Sequence, residues 1–306
     1  MINKIRVGTR QSPLALWQAQ TVVDLLAEQG NDAEIVFIKS EGDLNLTTPL
    51  YELGIQGIFT KSLDIALLDN RIDIAVHSYK DVPTAMAAGL QVGSVLKRGN
   101  PYDVLVCKNE TALSRLQDAD FPFIIATSSI RRKAQWLHKY RNSQIENIRG
   151  NVNSRIQKLK NSGWHGAIFA AAGLERLGLT ENETGPQIKL DFMLPAPAQG
   201  AVVLVCREIN EKVISVCANL NDEHTAICTG TERNFLRALH GGCSTPISAF
   251  ATINDNEIIF EGNITAADGS ASISVELKTA LHDHATLAGK AADEMINKGG
   301  KELLQK

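Results

Sequence analysis

Apolar positions recur along this chain in two rhythms, and the rhythm changes near residue 220. Residues 5–7 form a short apolar run of strand type. Ser12-Pro13 then opens a helix, with serine as cap and proline in the first turn. Leu14, Trp17, Val22 and Leu25 fall on one face of it, and Gly30 marks its stop. Residues 34–38 alternate as a strand. Residues 41–57 carry Gly42, Pro49, Gly54 and Gly57 without periodicity, which predicts a long loop. Residues 61–69 read as a helix. Residues 72–76 read as a buried strand that runs into the polar group His77-Ser78-Tyr79-Lys80-Asp81.

A second unit of the same kind follows Pro101. Strands are predicted at 104–107, 123–126, 145–148 and 167–171, with helices after Thr127-Ser128-Ser129 and over 151–161. Strands alternating with helices imply a largely parallel sheet. Both units share a strand, a Thr/Ser turn and a helix start beside arginine: Thr9 to Ser12, and Thr127 to Arg132. Pro195, Pro197 and Gln199-Gly200 mark a crossing segment before a buried strand at 201–205. Beyond 220 a helix at 230–240 precedes three strand-like runs at 247–253, 257–265 and 271–278, with Asp268-Gly269 as a hairpin turn. A last helix spans 282–298. The pattern predicts two α/β domains, 1–98 with 199–219 and 102–195. A smaller C-terminal α+β domain with a three-stranded antiparallel sheet follows, over 222–306.

Composition narrows the function classes. No run approaches 18 apolar residues in the 306, so no membrane span is expected. The chain opens directly on a strand pattern with no signal-peptide core, which predicts a cytoplasmic protein. Five cysteines without a Cys-x-x-Cys pair argue against a disulfide framework or a zinc site. The net charge of −3 hides an asymmetry. Residues 130–160 hold nine Lys and Arg against one acid, Glu146, so this stretch is +8 and the remainder −11. The stretch reads as a basic pocket within an acidic protein. An RNA-binding face also needs clustered cations, but only Trp136 and Tyr140 are aromatic here and no RNA-recognition motif is present.

The chemistry-bearing residues sit at predicted strand ends and helix starts. Helix N-termini present unpaired N–H groups and a partial positive charge. Arg10 and Ser12 at one such end, and Ser128, Ser129, Arg131 and Arg132 at another, would form two anion sites. The plainer alternative is that the serines only cap helices and the arginines are solvated. Arg149, Arg155 and Arg176 add guanidinium forks that match carboxylate or phosphate oxygens, as for a small polyanionic ligand. Asp81 ends an apolar strand, where ligand sites form in parallel sheets. Its alternative is a structural ion pair with Lys80 or an arginine. Cys107, Cys206, Cys217 and Cys228 lie in apolar contexts and read as core residues. Cys243 follows Gly241-Gly242 at a helix C-terminus, the wrong end of the dipole for a reactive thiolate. That position suits a permanent covalent attachment.

These motifs resemble, in order, those of the hydroxymethylbilane synthase (porphobilinogen deaminase) family. They are Val7-Gly-Thr-Arg-Gln-Ser-Pro-Leu-Ala-Leu-Trp-Gln18, Asp73-Ile-Ala-Val-His-Ser-Tyr-Lys-Asp-Val-Pro83, Thr127-Ser-Ser-Ile-Arg-Arg132, Arg149-Gly-Asn-Val-Asn-Ser-Arg155, Ala172-Gly-Leu-Glu-Arg-Leu-Gly178, and Glu232-Arg-Asn-Phe-Leu236 through Gly241-Gly-Cys243. The resemblance implies two periplasmic-binding-protein-like α/β domains joined by crossing strands. It implies head-to-tail condensation of four porphobilinogens with loss of ammonia, released as linear hydroxymethylbilane. It implies a dipyrromethane cofactor held by a thioether to Cys243 and bound by Lys80, Thr127, Ser128, Ser129, Arg131 and Arg132. Asp81 would be the catalytic carboxylate, and Arg10, Ser12, Arg149, Arg155, Arg176, Phe59 and Gln199 would bind substrate. A monomer without metal, nucleic acid or membrane is implied. The chain departs from the family pattern at Gln56, where a lysine is common. It also departs at Ala198, where Gly-Gln-Gly is common, and at Val205 and Ser244. A dicarboxylate-binding protein built from two α/β lobes is the competing class.

Overall fold

The computed structural model describes residues 4–39, 60–242 and 244–304. In chain order the elements are β1 Ile5–Thr9, α1 Pro13–Glu28, β2 Ala33–Phe37, α2 Lys61–Leu68, β3 Ile74–Ser78 and β4 Leu90–Val95. Then come β5 Asp103–Cys107, α3 Glu110–Ser114, β6 Ile124–Ala126, α4 Ile130–Lys139, β7 Gln144–Glu146 and α5 Val152–Asn161. They continue with β8 Gly166–Ala170, α6 Ala171–Arg176, α7 Glu181–Thr184, β9 Gln187–Lys189, β10 Val202–Arg207 and α8 Glu211–Ala218. The chain closes with α9 Glu223–Ala238, β11 Ile247–Asn254, β12 Glu257–Thr265, β13 Ser272–Ala280, α10 His284–Asn297 and α11 Gly300–Leu303.

Two five-stranded sheets repeat one topology, β2-β1-β3-β10-β4 and β7-β6-β8-β5-β9. In each sheet one strand runs against the rest: β10 is antiparallel to β3 and β4, and β5 to β8 and β9. Each reversed strand follows a crossing of the chain between the sheets. This is the physical form of the two similar units expected from the turn pattern. The third sheet, β11-β12-β13, is an antiparallel meander covered by α9 and α10, with Phe235, Phe260 and Met295 at its core.

Ser12 and Pro13 start α1 as the sequence requires, and the Ala15 N–H donates to the Ser12 hydroxyl at 3.3 Å. The buried face of α1 differs from the expected one. Gln18, Ala19, Val22 and Leu26 are buried, whereas Trp17 is 39% exposed. Its ring instead lies 5.4 Å from the Arg176 guanidinium of α6. Helix α9 begins seven residues before its predicted start, because Asp222 caps it by accepting from the Thr225 N–H at 2.8 Å. Four cysteines, 107, 206, 217 and 228, are buried in the cores as expected.

The crossing segments are packed backbone to backbone. A Cβ on Gly200, which sits at φ +88°, would come within 2.8 Å of the Gly99 oxygen. Ala198 occupies φ +61°, a region that costs an L-residue about 1 kcal/mol. The position is held by Glu232, which accepts from the Ala198 N–H at 2.6 Å. Ala198→Gly is expected to raise unfolding stability by up to about 1 kcal/mol, read as a higher denaturation midpoint. A lower midpoint would mean that the lost methyl packing outweighs the relieved backbone.

Candidate active site

Strand β3 ends in a single 3-10 turn, Tyr79–Asp81, that carries Lys80 and Asp81 into the space between the two five-stranded sheets. The Asp81 carboxylate makes no hydrogen bond or ion pair among the described residues. It lines a cavity of about 80 Å³ with Arg10, Ser12, Gln18 and His77. Gln18 Nε2 donates to the Ser78 hydroxyl at 2.9 Å, tying α1 to the end of β3. Burial, and then the charge of Arg10, push His77 down to about 4, so its imidazole is neutral at physiological pH.

Opposite stands α4. Ser129 caps it by accepting from the Arg132 N–H at 3.4 Å, and Thr127 accepts from the Ser129 N–H at 3.2 Å. Ser128 accepts from the Ile148 N–H at 3.1 Å and pairs with the Asn147 side chain, tying the turn to the segment that precedes Arg149. The cap orients the first turn so that Arg131 and Arg132 point inward, 4% and 6% exposed. Both close on Asp103, the first residue of β5. Arg132 donates to its Oδ1 at 2.7 and 3.0 Å, and Arg131 Nη2 lies 2.7 Å from its Oδ2.

Gln199 completes the network from the crossing segment. Its Nε2 donates to Asp103 at 2.9 Å, and its Oε1 accepts from Lys80 Nζ at 3.0 Å. One buried carboxylate therefore holds two arginines and, through Gln199, a lysine from the other sheet. Burial alone would raise Asp103, but Arg131, Arg132 and Lys80 bring it down to about 2. Burial lowers Lys80 to about 8, with Arg132 adding and Asp81 and Asp103 opposing. Burial also lowers Arg155 to about 10, with Arg132 and Arg149 adding and Asp81 opposing. Arg132, Arg149, Arg155, Lys80 and Asp81 thus share one electrostatic neighbourhood.

The basic stretch 130–160 is not a single pocket, which corrects the sequence reading. Burial divides it. Arg131 and Arg132 in the first turn of α4, Arg149 in the loop before α5 and Arg155 on α5 are buried or half-buried toward the cleft, while Lys139, Arg141, Lys158 and Lys160 are exposed. Lys158 Nζ still supports the cleft from outside, donating to the Arg149 carbonyl at 3.0 Å. Arg176 lies beside the crossing and donates to the Gly200 carbonyl at 2.6 Å. Cys243 and Phe59, expected as the cofactor anchor and a substrate contact, lie outside the described residues, as do Gln56 and the loop over 41–57. Two residues before Cys243 the chain is tightly seated, since a Cβ on Gly241 would lie 2.5 Å from Ile247 Cδ1, whereas Gly242 has open space beside it.

A larger open cleft of about 650 Å³ lies at the other end of the first sheet, against Arg6, Asp73 and Arg207. Asp73 pairs with both of these arginines, at 2.9 and 3.3 Å, so their charge is largely settled internally. Asp73 directly precedes β3 and Asp81 follows it, so the two clefts lie at opposite ends of that strand.

Comparison with known proteins fits this arrangement. Residues 5–215 match the family model described as "Porphobilinogen deaminase, dipyromethane cofactor binding domain", and 226–297 match "Porphobilinogen deaminase, C-terminal domain". The chain belongs to the porphobilinogen deaminase family. A porphobilinogen deaminase of Desulforamulus reducens is 38% identical over all of this chain and 98% of its own length. A chloroplastic porphobilinogen deaminase of Oryza sativa subsp. japonica is 41% identical over 88% of this chain and 76% of its own length. Among solved structures, the methionine-binding protein MetQ aligns over 72% of this chain and 90% of its own, with 14% identity and TM-score 0.45.

Three features of this porphobilinogen deaminase family member were given no role of their own in the sequence, although Glu232 and Arg233 stand in the motif Glu232-Arg-Asn-Phe-Leu236. Asp103 reads locally as the start of an apolar strand, and its partners lie 28 and 29 positions on. An acid heading a wholly buried strand was the available signal. Half-buried Arg98 and fully buried Glu232 form a second pair at 2.6 Å, and Glu232 also accepts from the Ala198 and Ala251 N–H groups. This pair pins both crossing segments to the third sheet. Arg233, next to Glu232, reaches the Asp81 turn.

Proposed function

We propose that this chain condenses porphobilinogen units head to tail into linear hydroxymethylbilane, releasing ammonia at each addition, with Asp81 as the catalytic carboxylate. The observation that carries this reading is the pairing of an untethered carboxylate at a strand end with a wall of buried cations. Two carboxylates on every pyrrole ring call for such a wall, and five buried or half-buried cations, three of them (Arg131, Arg132 and Lys80) around the internal counter-ion Asp103, meet that need.

The donor set also fits the family's cofactor, a carboxylate-rich dipyrromethane. Lys80, Thr127, Ser128, Ser129, Arg131 and Arg132 would hold it, with Cys243 as the thioether anchor. When bound, the group supplies the primer to which rings are added. Arg10, Ser12, Arg149, Arg155, Arg176, Phe59 and Gln199 bind the carboxylates of incoming and growing substrate. Guanidinium forks orient these carboxylates bidentately and so bring the substrate's reacting carbon against the site. Asp81 accepts the pyrrole N–H of the substrate. Its negative charge stabilises the positive charge that develops on the ring as ammonia leaves, and it takes part in moving the proton at the ring carbon.

The working unit has three domains, 1–98 with 199–219, 102–195 and 222–306. It acts as a cytoplasmic monomer that binds neither nucleic acid nor metal. Among the described residues no helix is long and apolar enough to cross a membrane.

Intact mass tests the assignment. The active protein should exceed its sequence mass by two condensed pyrrole units, and Cys243→Ala should lose both that mass and turnover. A fully active wild type of unmodified mass would overturn the cofactor reading. Salt-dependent RNA binding without porphobilinogen consumption would favour an RNA-binding module instead.

A further inference from the structure

Asp81 has no side-chain tether among the described residues, so the backbone of its turn decides where the carboxylate sits. That turn is short. Within it, the Val82 N–H donates to the Tyr79 oxygen at 3.2 Å, and Pro83 has no N–H to offer. The remaining carbonyls need donors from elsewhere.

They are met from the third sheet's helix. Arg233 of α9 is 6% exposed. Its Nη1 donates to the Tyr79 and Val82 oxygens at 3.2 and 2.8 Å, and its Nη2 to the Pro83 oxygen at 2.7 Å. Its guanidinium carbon lies 4.3 Å from the centre of the Tyr79 ring. One turn further along α9, Arg237 Nη2 donates to the Thr84 oxygen at 2.6 Å. The three carbonyls that Arg233 gathers bracket Lys80 and Asp81. The neighbouring Glu232 fixes α9 itself against Arg98, Ala198 and Ala251.

We propose that Arg233 is a positioning residue for Asp81, a clamp from the C-terminal unit that holds the 79–83 turn so that the carboxylate stands at a fixed point in the cleft. This rests on the catalytic reading of Asp81 given above. The planar guanidinium suits the task because its N–H groups diverge in one plane toward separate carbonyls while its face covers a ring. A lysine ammonium is a point charge that cannot address the three carbonyls and also lie flat on Tyr79. Of the groups assigned to substrate carboxylates, Arg10, Ser12, Arg149, Arg155, Arg176 and Gln199 are not among these contacts, which go to Tyr79, Val82 and Pro83. Loosening the clamp should therefore affect the chemical step more than binding.

The test compares wild type, Arg233→Lys, Arg237→Gln, Asp81→Glu and Arg233→Lys/Asp81→Glu. For each, intact mass, melting temperature, kcat and KM are measured. Arg233→Lys should keep the two-pyrrole mass and lower kcat by about 10- to 100-fold, the scale of a small misplacement of a reacting group, with little change in KM. Arg237→Gln, at an exposed contact, should lower kcat less and in the same direction, and it serves if Arg233→Lys does not fold. In the Asp81→Glu background Arg233→Lys should cost markedly less, because the two act as one unit. An unchanged kcat in the folded arginine variants, or the same loss in both Asp81 backgrounds, overturns the proposal while leaving the function intact. A wild type without the added mass would overturn the functional reading and this proposal with it.

Discussion

Asp81→Ala is expected to abolish turnover, with kcat falling about 10²–10⁴-fold or more, the range attributed to a positioned acid–base group. The fold should survive. The Asp81 carboxylate has no hydrogen bond or ion pair among the described residues, so its removal breaks none there and withdraws only the longer-range attraction it exerts on Lys80 and Arg155. Stability should change by roughly 0.5 kcal/mol or less, as for substitutions away from structural features. Asp81→Asn separates shape from charge. It keeps the planar group and removes the negative charge, and it should be nearly as inactive. Product formation in single-turnover and steady-state assays, beside melting temperature, gives the answer. A near-wild-type rate in either variant would remove Asp81 from the mechanism.

Asp103→Ala should have the largest effect on stability, about 3–5 kcal/mol, because it strands two buried guanidinium groups without their counter-ion. Asp103 is fully buried, and Arg131 and Arg132 are nearly so. Asp103→Asn is the gentler probe and shifts two pH dependences. The wild-type carboxyl titrates near 2 in the folded protein against 3.8 normally. Its stabilising contribution is therefore complete above about pH 4 and is lost as pH falls toward 2. Asparagine should flatten that acid limb. At the other end, removing Asp103 takes away a charge that props up Lys80, already lowered to about 8. The alkaline limb of kcat/KM, which reports groups of the free protein, should move to lower pH. Denaturant midpoints across pH and a kcat/KM profile measure both. An unmoved alkaline limb would mean that Lys80 does not titrate in the working range.

The parts legible beforehand were those encoded within a few neighbouring residues. Ser12-Pro13 and Ser129 specify helix starts by local capping, and the structure places both caps where they were expected. The alternation of strands and helices predicted two largely parallel sheets, which the structure makes mixed because β5 and β10 enter antiparallel after the chain crosses between them, and Asp268-Gly269 predicted the hairpin of the third. Strand β4, with its Gln91, Gly93 and Ser94, was missed because its neighbours in the sheet, not its own pattern, keep it extended. Helix α8 was missed because its Val213, Ile214 and Val216 resemble a strand, and packing on β4 and β10 outweighs that preference. Trp17 was placed in the core by periodicity alone, while Arg176 on α6 gives its ring a surface to cover.

The order of the motifs, taken alone, settled the family, the arginine-rich character of the site and the candidate carboxylate at a strand end. Tertiary structure alone decided which charges meet. Asp103 finds Arg131 and Arg132 across 28 and 29 residues, Gln199 finds Lys80 across 119, and Arg233 finds the Asp81 turn across about 150. Capping and periodicity act over one or two turns of chain, so a sequence displays them directly. Counter-ions and backbone clamps depend on which elements lie side by side after folding, and no local pattern records that.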